Sequence, residues 1–271
     1  QQYLEAVTSS CSDSQIIVVS HYHLDHFVAE RNPRLYSGKT ILAKSVDDLP
    51  ARQAAAARRF FATIDGLPSE IVWADGRRFR FGKTEIGFSN PVWHGGVEAQ
   101  PGKVLMTEVQ RGSTKVLVAS DVAGPVSRDT AELIASLGAQ EVILDGYPSY
   151  GLGTFANLRD LVCSIINVCR ILAAPQLRTL LIDHHLARDP DYPSRFRLCY
   201  TRAAALRRRF GTAAELTGQA NVFSGTRARG REPARKPELS ISDCRQILEQ
   251  ATTAGEIDGD WLAELDRLVS Q

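Results

Sequence analysis

The spacing of apolar residues along the chain changes in character near residue 127. Before that point, short apolar or alternating runs predict a strand over residues 16–20 and two hairpins, 77–81 with 84–89 and 103–110 with 113–119. Helical segments are predicted over 2–7 and 50–64. After that point, the pattern predicts helices over 128–137, 154–172 and 194–210, with strands over 141–144 and 179–182 between them. Strands first and alternating units later predict an α/β (α+β) fold, a sandwich of two sheets between helices.

A basic stretch rich in glycine and proline predicts a boundary near the C-terminal end. Residues 224–237 cannot easily form a regular element, because glycines and prolines interrupt the arginines. Beyond them, Ser240 and Asp243 predict a capped helix running to about residue 252, and Trp261 and Leu265 belong to the apolar stripe of a second helix. We therefore expect a main domain at 1–223, a basic linker at 224–238 and an acidic helical hairpin at 239–271 that docks on the basic segment or on a partner.

Four side chains that can bind metal follow the first predicted strand within six residues: His21, His23, Asp25 and His26. Alternate side chains of extended backbone share a face, so His21 and His23 can reach one cation, and a turn can aim the other two at a second ion. Two such ions ~3.5–4 Å apart can polarise a substrate and activate water. The alternative, a histidine-rich surface turn, is the weaker interpretation because three of the six histidines of the chain lie here.

This cluster resembles the first motif of the metallo-β-lactamase superfamily, H-x-H-x-D-H at the end of a strand, and the match is complete. The resemblance implies a further His, an Asp and a last His, each at a strand end. The chain supplies them in that order as His94, Asp121 and His184.

The resemblance also implies how the ligands are shared between two metal ions. One ion would be held by His21, His23 and His94, the other by Asp25, His26 and His184, with Asp121 as the bridge. His185 is adjacent to His184 and is the alternate ligand. Taken singly, Asp121 is also consistent with a helix cap and His94 with a core histidine. Their order after the first motif favours metal ligation.

A closer resemblance is to an archaea-rich branch of predicted metal-dependent hydrolases within that superfamily. It covers about residues 1–220 and rests on four short sequence segments, at 20–26, 79–82, 119–126 and 183–189. The chain departs from this branch at Phe27-Val28 and at Asp145, where a glycine is more typical. The carboxylate of Asp145 is either a turn residue, the favoured interpretation, or a substrate or metal contact.

Another departure from the superfamily lies at the N-terminal end. Superfamily domains place several strands before the first motif, whereas only residues 1–15 precede the first predicted strand here. We expect an N-terminally incomplete sandwich, with an exposed sheet edge that a second copy of the chain covers in a homo-oligomer.

Composition narrows the class of protein. A hydrophobic fraction of 44% with 23% charged residues is typical of a globular chain, and no membrane-spanning run is present. Five cysteines without a C-x-x-C pair predict free or buried thiols in a reducing cytoplasm. Residues 195–236 contain eleven basic and two acidic side chains, which indicates either a solvated surface with a basic linker or a nucleic-acid contact.

These features together predict a metal-dependent hydrolase with a small-molecule substrate. A water activated by a dinuclear metal site would attack an ester, thioester, lactone or phosphodiester bond, with Asp25 as catalytic proton carrier. Zinc is the expected metal, with iron, manganese or nickel as alternatives. The alternative functions are a metal-binding but inactive interaction module, and a nucleic-acid-processing hydrolase that uses residues 195–236.

Overall fold

A computed structural model describes residues 2–96, 99–221 and 239–270. It contains two compact units: unit 1 comprises Gln1–Val92 and Glu98–Glu108, and unit 2 comprises Trp93–Val97 and Val109–Gln271. The prediction of a mixed α/β fold with several sheets and helices is confirmed. The predicted linker at 224–238 lies outside the described residues, and the domain limits at 223 and 239 stay a prediction.

Unit 1 combines a parallel sheet with an antiparallel hairpin. Its sheet has the strand order β1-β2-β3, and the hairpin is formed by β4 and β5. Two of the boundaries between unit 1 and unit 2 fall inside strands, one within β6 and one within β8. The elements are α1 (Gln2–Ser12), β1 (Ile16–Val19), β2 (Thr40–Ala43), α2 (Ala51–Thr63), β3 (Glu70–Trp73), β4 (Arg78–Phe81), β5 (Thr84–Phe88), β6 (Val92–Trp93), β7 (Lys103–Val104) and β8 (Thr107–Arg111).

Strand β1 is apolar at all four positions because both of its faces border apolar clusters. Val19 packs in a cluster with Phe60 of α2, whereas Val18 packs against a cluster that contains Leu105. A strand that packs against apolar side chains on both faces has a continuous apolar sequence, and this is the pattern that predicted β1. β3 is an outer strand of the same sheet, and its Ile71 and Trp73 are 40% and 41% exposed.

Unit 2 is built on four parallel strands with helices between them. The strands are neighbours in the order β9-β10-β11-β12, and their carboxyl ends therefore lie at one edge of the sheet. The elements are β9 (Thr114–Ala119), α3 (Arg128–Ser136), β10 (Glu141–Asp145), α4 (Leu158–Leu172), β11 (Thr179–Asp183), α5 (Tyr192–Arg195), α6 (Arg197–Ala205), β12 (Arg209–Gly211), α7 (Ala213–Leu216), α8 (Ile241–Thr253) and α9 (Asp260–Val269).

Two element predictions in unit 2 were wrong. The helix predicted from residue 154 begins at Leu158, because the side chain of Asn157 accepts a hydrogen bond from the amide of Asp160 and caps the helix there. The helix predicted over 194–210 breaks into α5 and α6, and its last residues form β12, which pairs with β11. Arg207 adopts a φ of 53°, a left-handed conformation that no helix can continue through.

The helices of the acidic hairpin, α8 and α9, pack on α4 within unit 2. Ser240 and Asp243 form the predicted capping box of α8, and Trp261 and Leu265 of α9 are buried. Arg128 of α3 pairs with the carboxylates of Asp258 and Asp260 at 3.3 and 3.2 Å, and its guanidinium lies 4.7 Å from the centroid of the Trp261 ring. Arg159 and Arg170 of α4 also pair with this hairpin, through Glu256 and Glu264, and these three arginines lie outside residues 195–236. None of the helices that the structure describes is long and apolar enough to cross a membrane.

Candidate metal centre

The first group of candidate ligands lies in the loop that follows β1 in unit 1. The His21 Nε2 atom is 3.2 Å from Nδ1 of His23, and the ring centroids of His21 and His26 are 4.3 Å apart. The carboxylate of Asp25 lies 4.0 Å from Nε2 of His26. All four residues of the predicted first motif are therefore close together within unit 1, and His21 is fully buried.

Tyr22, between two of these histidines, holds the loop in place. Its side chain is 1% exposed, and its hydroxyl donates to the carbonyl of Lys44. Its backbone N–H donates to Oε1 of Gln53 on α2 at 3.1 Å, and its ring lies 5.8 Å from that of Phe61. The rings of His21 and His23, on either side of Tyr22, have centroids 4.7 Å apart, so anchoring Tyr22 fixes the backbone that carries both.

The second group lies at the carboxyl edge of the parallel sheet in unit 2. Asp121 comes two residues after β9, Asp145 is the last residue of β10, and His184 and His185 directly follow β11. The strands are in register there, since Ala119 is opposite Leu144 and Asp145 is opposite Asp183. Open parallel sheets bind ligands outside the carboxyl ends of their strands.

A single buried carboxylate joins the histidines of this group. Asp121 is 1% exposed, and its Oδ2 lies 3.1 Å from Nε2 of His94, while its Oδ1 lies 3.7 Å from Nε2 of His184. Asp121, His184 and His185 each offer one ligand atom, and these atoms lie within 4.8 Å of one another. Asp121 thus lies beside His94 with one carboxylate oxygen and near His184 with the other.

The backbone at two of these residues is strained. Asp121 and His184 have φ angles of 58° and 55°, the left-handed region that side chains other than glycine rarely adopt. Such conformations cost of order 1–3 kcal/mol each and cluster at functional sites. The helix-cap interpretation of Asp121 is wrong, because the side chain of Ser127 caps α3.

The environment of Asp145 differs most from the one that the sequence predicted. The favoured interpretation as a turn residue is wrong: Asp145 ends a strand, is 3% exposed and accepts a hydrogen bond from the amide of Ala123 at 2.9 Å. Its Oδ2 lies 3.1 Å from Nδ1 of His185, and its Oδ1 makes no hydrogen bond within the described residues. The sequence did carry a signal that Asp145 is a candidate site residue, because it follows an apolar run, as Asp121 and His184 do.

The electrostatics of the second group favour a cation. Burial raises the pKa of Asp145, and the charge of Asp121 raises it further, against the opposing hydrogen bond of His185. Burial acts to lower the pKa of His94, but the hydrogen bond and charge of Asp121 and the charge of Asp145 outweigh it, so that this pKa is raised. Two buried carboxylates and three imidazoles are thus ligands of the type and charge that a divalent metal requires, and the residues fit such an ion.

Comparison with known proteins gives relatives by sequence and by structure. No protein-family model matches the chain. It is 32% identical over 219 residues to a UPF0282 protein of Metallosphaera sedula, covering 79% of this chain and 70% of the relative. It is 33% identical over 204 residues to a UPF0282 protein of Korarchaeum cryptofilum, covering 75% and 67%. Among solved structures, the metallo-β-lactamase fold protein YhfI of Bacillus subtilis is similar, with a TM-score of 0.48, 16% identity and coverage of 78% and 80%.

Proposed function

The chain belongs to the UPF0282 family, and we propose that it is a metal-dependent hydrolase that cleaves an ester, thioester, lactone or phosphodiester bond. The observation that carries this proposal is the buried carboxylate of Asp121 between the imidazoles of His94 and His184, at the edge of a parallel sheet. Imidazole and carboxylate are ligands that divalent metals such as zinc bind, and a cation placed here would be held by both.

The proposed ligands come from both groups. Two divalent ions are expected, zinc foremost, with iron, manganese or nickel as alternatives, because imidazole and carboxylate suit all four metals. The assignment follows the sequence prediction, with His185 as the alternate to His184. One ion is assigned to His21, His23 and His94, the other to Asp25, His26 and His184, and the bridge to Asp121.

The chemistry divides between the metal and the side chains. A bound divalent ion lowers the pKa of its water toward ~7 and so supplies hydroxide at neutral pH. Asp25 is 56% exposed beside His26, and we assign to its carboxylate the transfer of protons between the site and solvent. Asp145 holds the ring of His185 in orientation through the hydrogen bond at 3.1 Å.

The decisive experiment combines metal analysis with a substrate panel. The purified chain is assayed for bound metal and for turnover of a bis-aryl phosphate, a thioester and a lactone, before and after chelation. We expect about two metal ions per chain, as dinuclear hydrolases bind, and chelator-sensitive turnover of at least one class. Asp25→Ala should lose turnover and keep its thermal midpoint, whereas the matched variant Asp65→Ala, at an exposed position of the same unit, should keep both.

Two results would contradict the proposal. A folded chain that binds no divalent metal would remove its basis. Metal binding without turnover of any member of the panel would favour the metal-holding interaction module instead.

The participation of both units is tested separately. His21→Ala changes the first group and Asp121→Asn the second, and each should reduce the bound metal measured after dialysis. If only Asp121→Asn does so, the site consists of the second group alone.

The compartment is part of the same proposal. All five cysteines are free, and four of them are buried. A reducing cytoplasm is the environment in which such thiols persist, and we assign the chain to it.

A further inference from the structure

Two loops leave the carboxyl edge of the unit 2 sheet and pack against each other. Residues 146–157 follow β10 and residues 184–191 follow β11. A Cβ atom on Gly146 would lie 2.1 Å from the Cβ of Leu186, so the loops touch without a gap. The hydroxyl of Ser149 donates to Oδ2 of Asp189 at 2.5 Å, and both side chains are buried. Side chains on the first loop are therefore held at fixed positions relative to His185.

Arg188 lies on the same face as His185. Residues Leu186–Arg188 form a 3-10 turn, and His185, which precedes it, is also helical at φ −68° and ψ −39°. The amide of Arg188 donates to the carbonyl of His185 at 3.3 Å. Residues three apart on a 3-10 helix eclipse one another, with a rise of roughly 6 Å at ~2.0 Å per residue. The side chains of His185 and Arg188 thus leave the backbone on the same side of this turn.

One aromatic ring lies beside the Arg188 guanidinium, and a second ring packs against the first. The Arg188 Nη1 atom lies 3.5 Å from the hydroxyl of Tyr150, and its guanidinium carbon is 5.9 Å from the centroid of that ring. The rings of Tyr150 and Phe155 are 5.6 Å apart at 70°. Phe155 is 67% exposed, the largest fraction among the large hydrophobic side chains that the structure describes.

Phe155 is held in place although it is exposed. A Cβ atom on Gly151 would lie 2.3 Å from the ring, so the ring rests on the backbone of that glycine. The amide of Phe155 also donates to the Gly151 carbonyl at 3.2 Å. An exposed aromatic ring with a fixed orientation is a stacking surface for a planar group.

We propose that Arg188, Tyr150 and Phe155 form an aromatic rim that selects a phosphate ester carrying a planar aromatic group, such as a nucleotide, as the substrate of this site. The guanidinium binds phosphate oxygens through paired N–H donors, which a neutral lactone does not engage. Phe155 stacks on the planar group. This inference rests on the proposed hydrolase function and narrows its substrate class.

A binding experiment tests the rim without relying on turnover. Adenosine monophosphate and inorganic phosphate are titrated calorimetrically into the full chain, both metal-loaded and metal-depleted. Arg188→Met should weaken binding of both ligands by about tenfold, since it removes charge-assisted hydrogen bonds. Phe155→Ala should weaken the nucleotide by about fivefold and leave inorganic phosphate unchanged, because only the nucleotide offers a ring to stack.

Matched controls lie elsewhere in the chain. Arg178→Met removes an exposed arginine directly before β11, at the opposite edge of the same sheet, and Phe81→Ala removes a partly exposed phenylalanine of unit 1. Both should bind the nucleotide as the wild type does.

Turnover supplies the second arm of the test. The p-nitrophenyl ester of thymidine 5′-phosphate should be cleaved in preference to p-nitrophenyl acetate. Arg188→Met should raise KM for the phosphodiester about tenfold and leave the acetate reaction unchanged.

Nucleotide binding that is absent, or insensitive to Arg188→Met, would overturn the rim. Absence of any metal-dependent turnover, with binding still dependent on Arg188 and Phe155, would overturn the hydrolase and leave the rim standing.

Discussion

The ring of His185 lies with Nδ1 3.1 Å from Oδ2 of Asp145, a carboxylate that is itself 3% exposed. A neutral imidazole that donates from Nδ1 presents Nε2 as its lone-pair atom, so the contact fixes both the tautomer and the orientation of the ring. Metal-binding histidines are commonly oriented by a carboxylate in this way.

Replacing Asp145 therefore tests whether His185 takes part in metal binding. Asp145→Asn preserves the shape of the side chain but removes the charge, and we expect metal affinity to fall by about 10–100-fold. A chelator-competition titration measures this change. Asp129→Asn, at an exposed position in the first turn of α3, is the control. Unchanged affinity in Asp145→Asn would show that this pair is structural only.

Gly146 offers a test of the packing beneath the same pair. Its Cβ in Gly146→Ala would meet the Cβ of Leu186 at 2.1 Å and its Cα at 3.0 Å, so the loop after β11 must shift. We expect a loss of about 1–3 kcal/mol in the free energy of unfolding, as for other overpacked sites, together with weaker metal binding. Urea titration of the variant measures the first effect.

Gly259→Ala is the matched variant, because nothing lies within 4 Å of the added methyl group. It should leave metal binding unchanged and alter the free energy of unfolding by no more than about 1 kcal/mol, since alanine is a poorer helix N-cap than glycine. Equal stability of the two variants would contradict the close packing at Gly146.

The buried Lys44 of unit 1 predicts how the stability of the protein depends on pH. It is 4% exposed, and burial lowers its pKa from the usual 10.5, against the opposing charge of Asp75 at 3.7 Å. In the pH range between the lowered pKa of Lys44 in the folded state and 10.5, the unfolded chain binds more protons than the folded one. The contribution of Lys44 to stability therefore rises with pH in that range. Lys44→Met should remove this rise.

The same variant should be neutral or up to about 1 kcal/mol more stable at pH 7, because an apolar side chain avoids the cost of burying a charge. Asp75 keeps a partner, since the amide of Ser45 donates to its Oδ2 at 2.6 Å. Unfolding of both proteins from pH 7 to pH 10.5 by denaturant checks both statements. Parallel curves for the wild type and Lys44→Met would show that Lys44 ionises normally.

Thiol reactivity reports on the core of unit 2. Burial raises the pKa of Cys163 to about 12 and of Cys244 to about 11, and raises that of Cys199 well above its usual value. Thiolates are the reactive species. We therefore expect a disulfide reagent at pH 8 to modify one cysteine of the native protein, the partly exposed Cys11. All five cysteines should react after unfolding. Fast modification of two or more thiols in the native state would contradict this arrangement.

The sequence predicted best those features that are local. The first motif, the hairpin of β4 and β5, and the capping box at Ser240 each depend on neighbours within a few residues, and each lies where the pattern placed it. Asp121 and His184 were named by the resemblance, as the Asp and the last His that follow predicted strands. Within unit 2 the structure places the side chains of these two residues 3.7 Å apart.

The features that the sequence missed depend on distant partners. Residues 209–211 continue a helical pattern, yet they pair with β11 as a strand, because the sheet offers an edge that local propensity does not reveal. Asp145 resembles a turn residue by its neighbours Gly146 and Pro148. Only the register of β10 with β11 places its carboxylate against His185.

The anchoring of Tyr22 has a consequence for genetics. Because its ring shares the apolar cluster of α2 with Phe60, the histidines on either side are aimed only while that cluster is intact. Random mutagenesis scored by metal retention should therefore return truncations of Phe60 alongside changes to the histidines themselves. A map of such hits would outline the interior of unit 1 as clearly as it marks the proposed ligands.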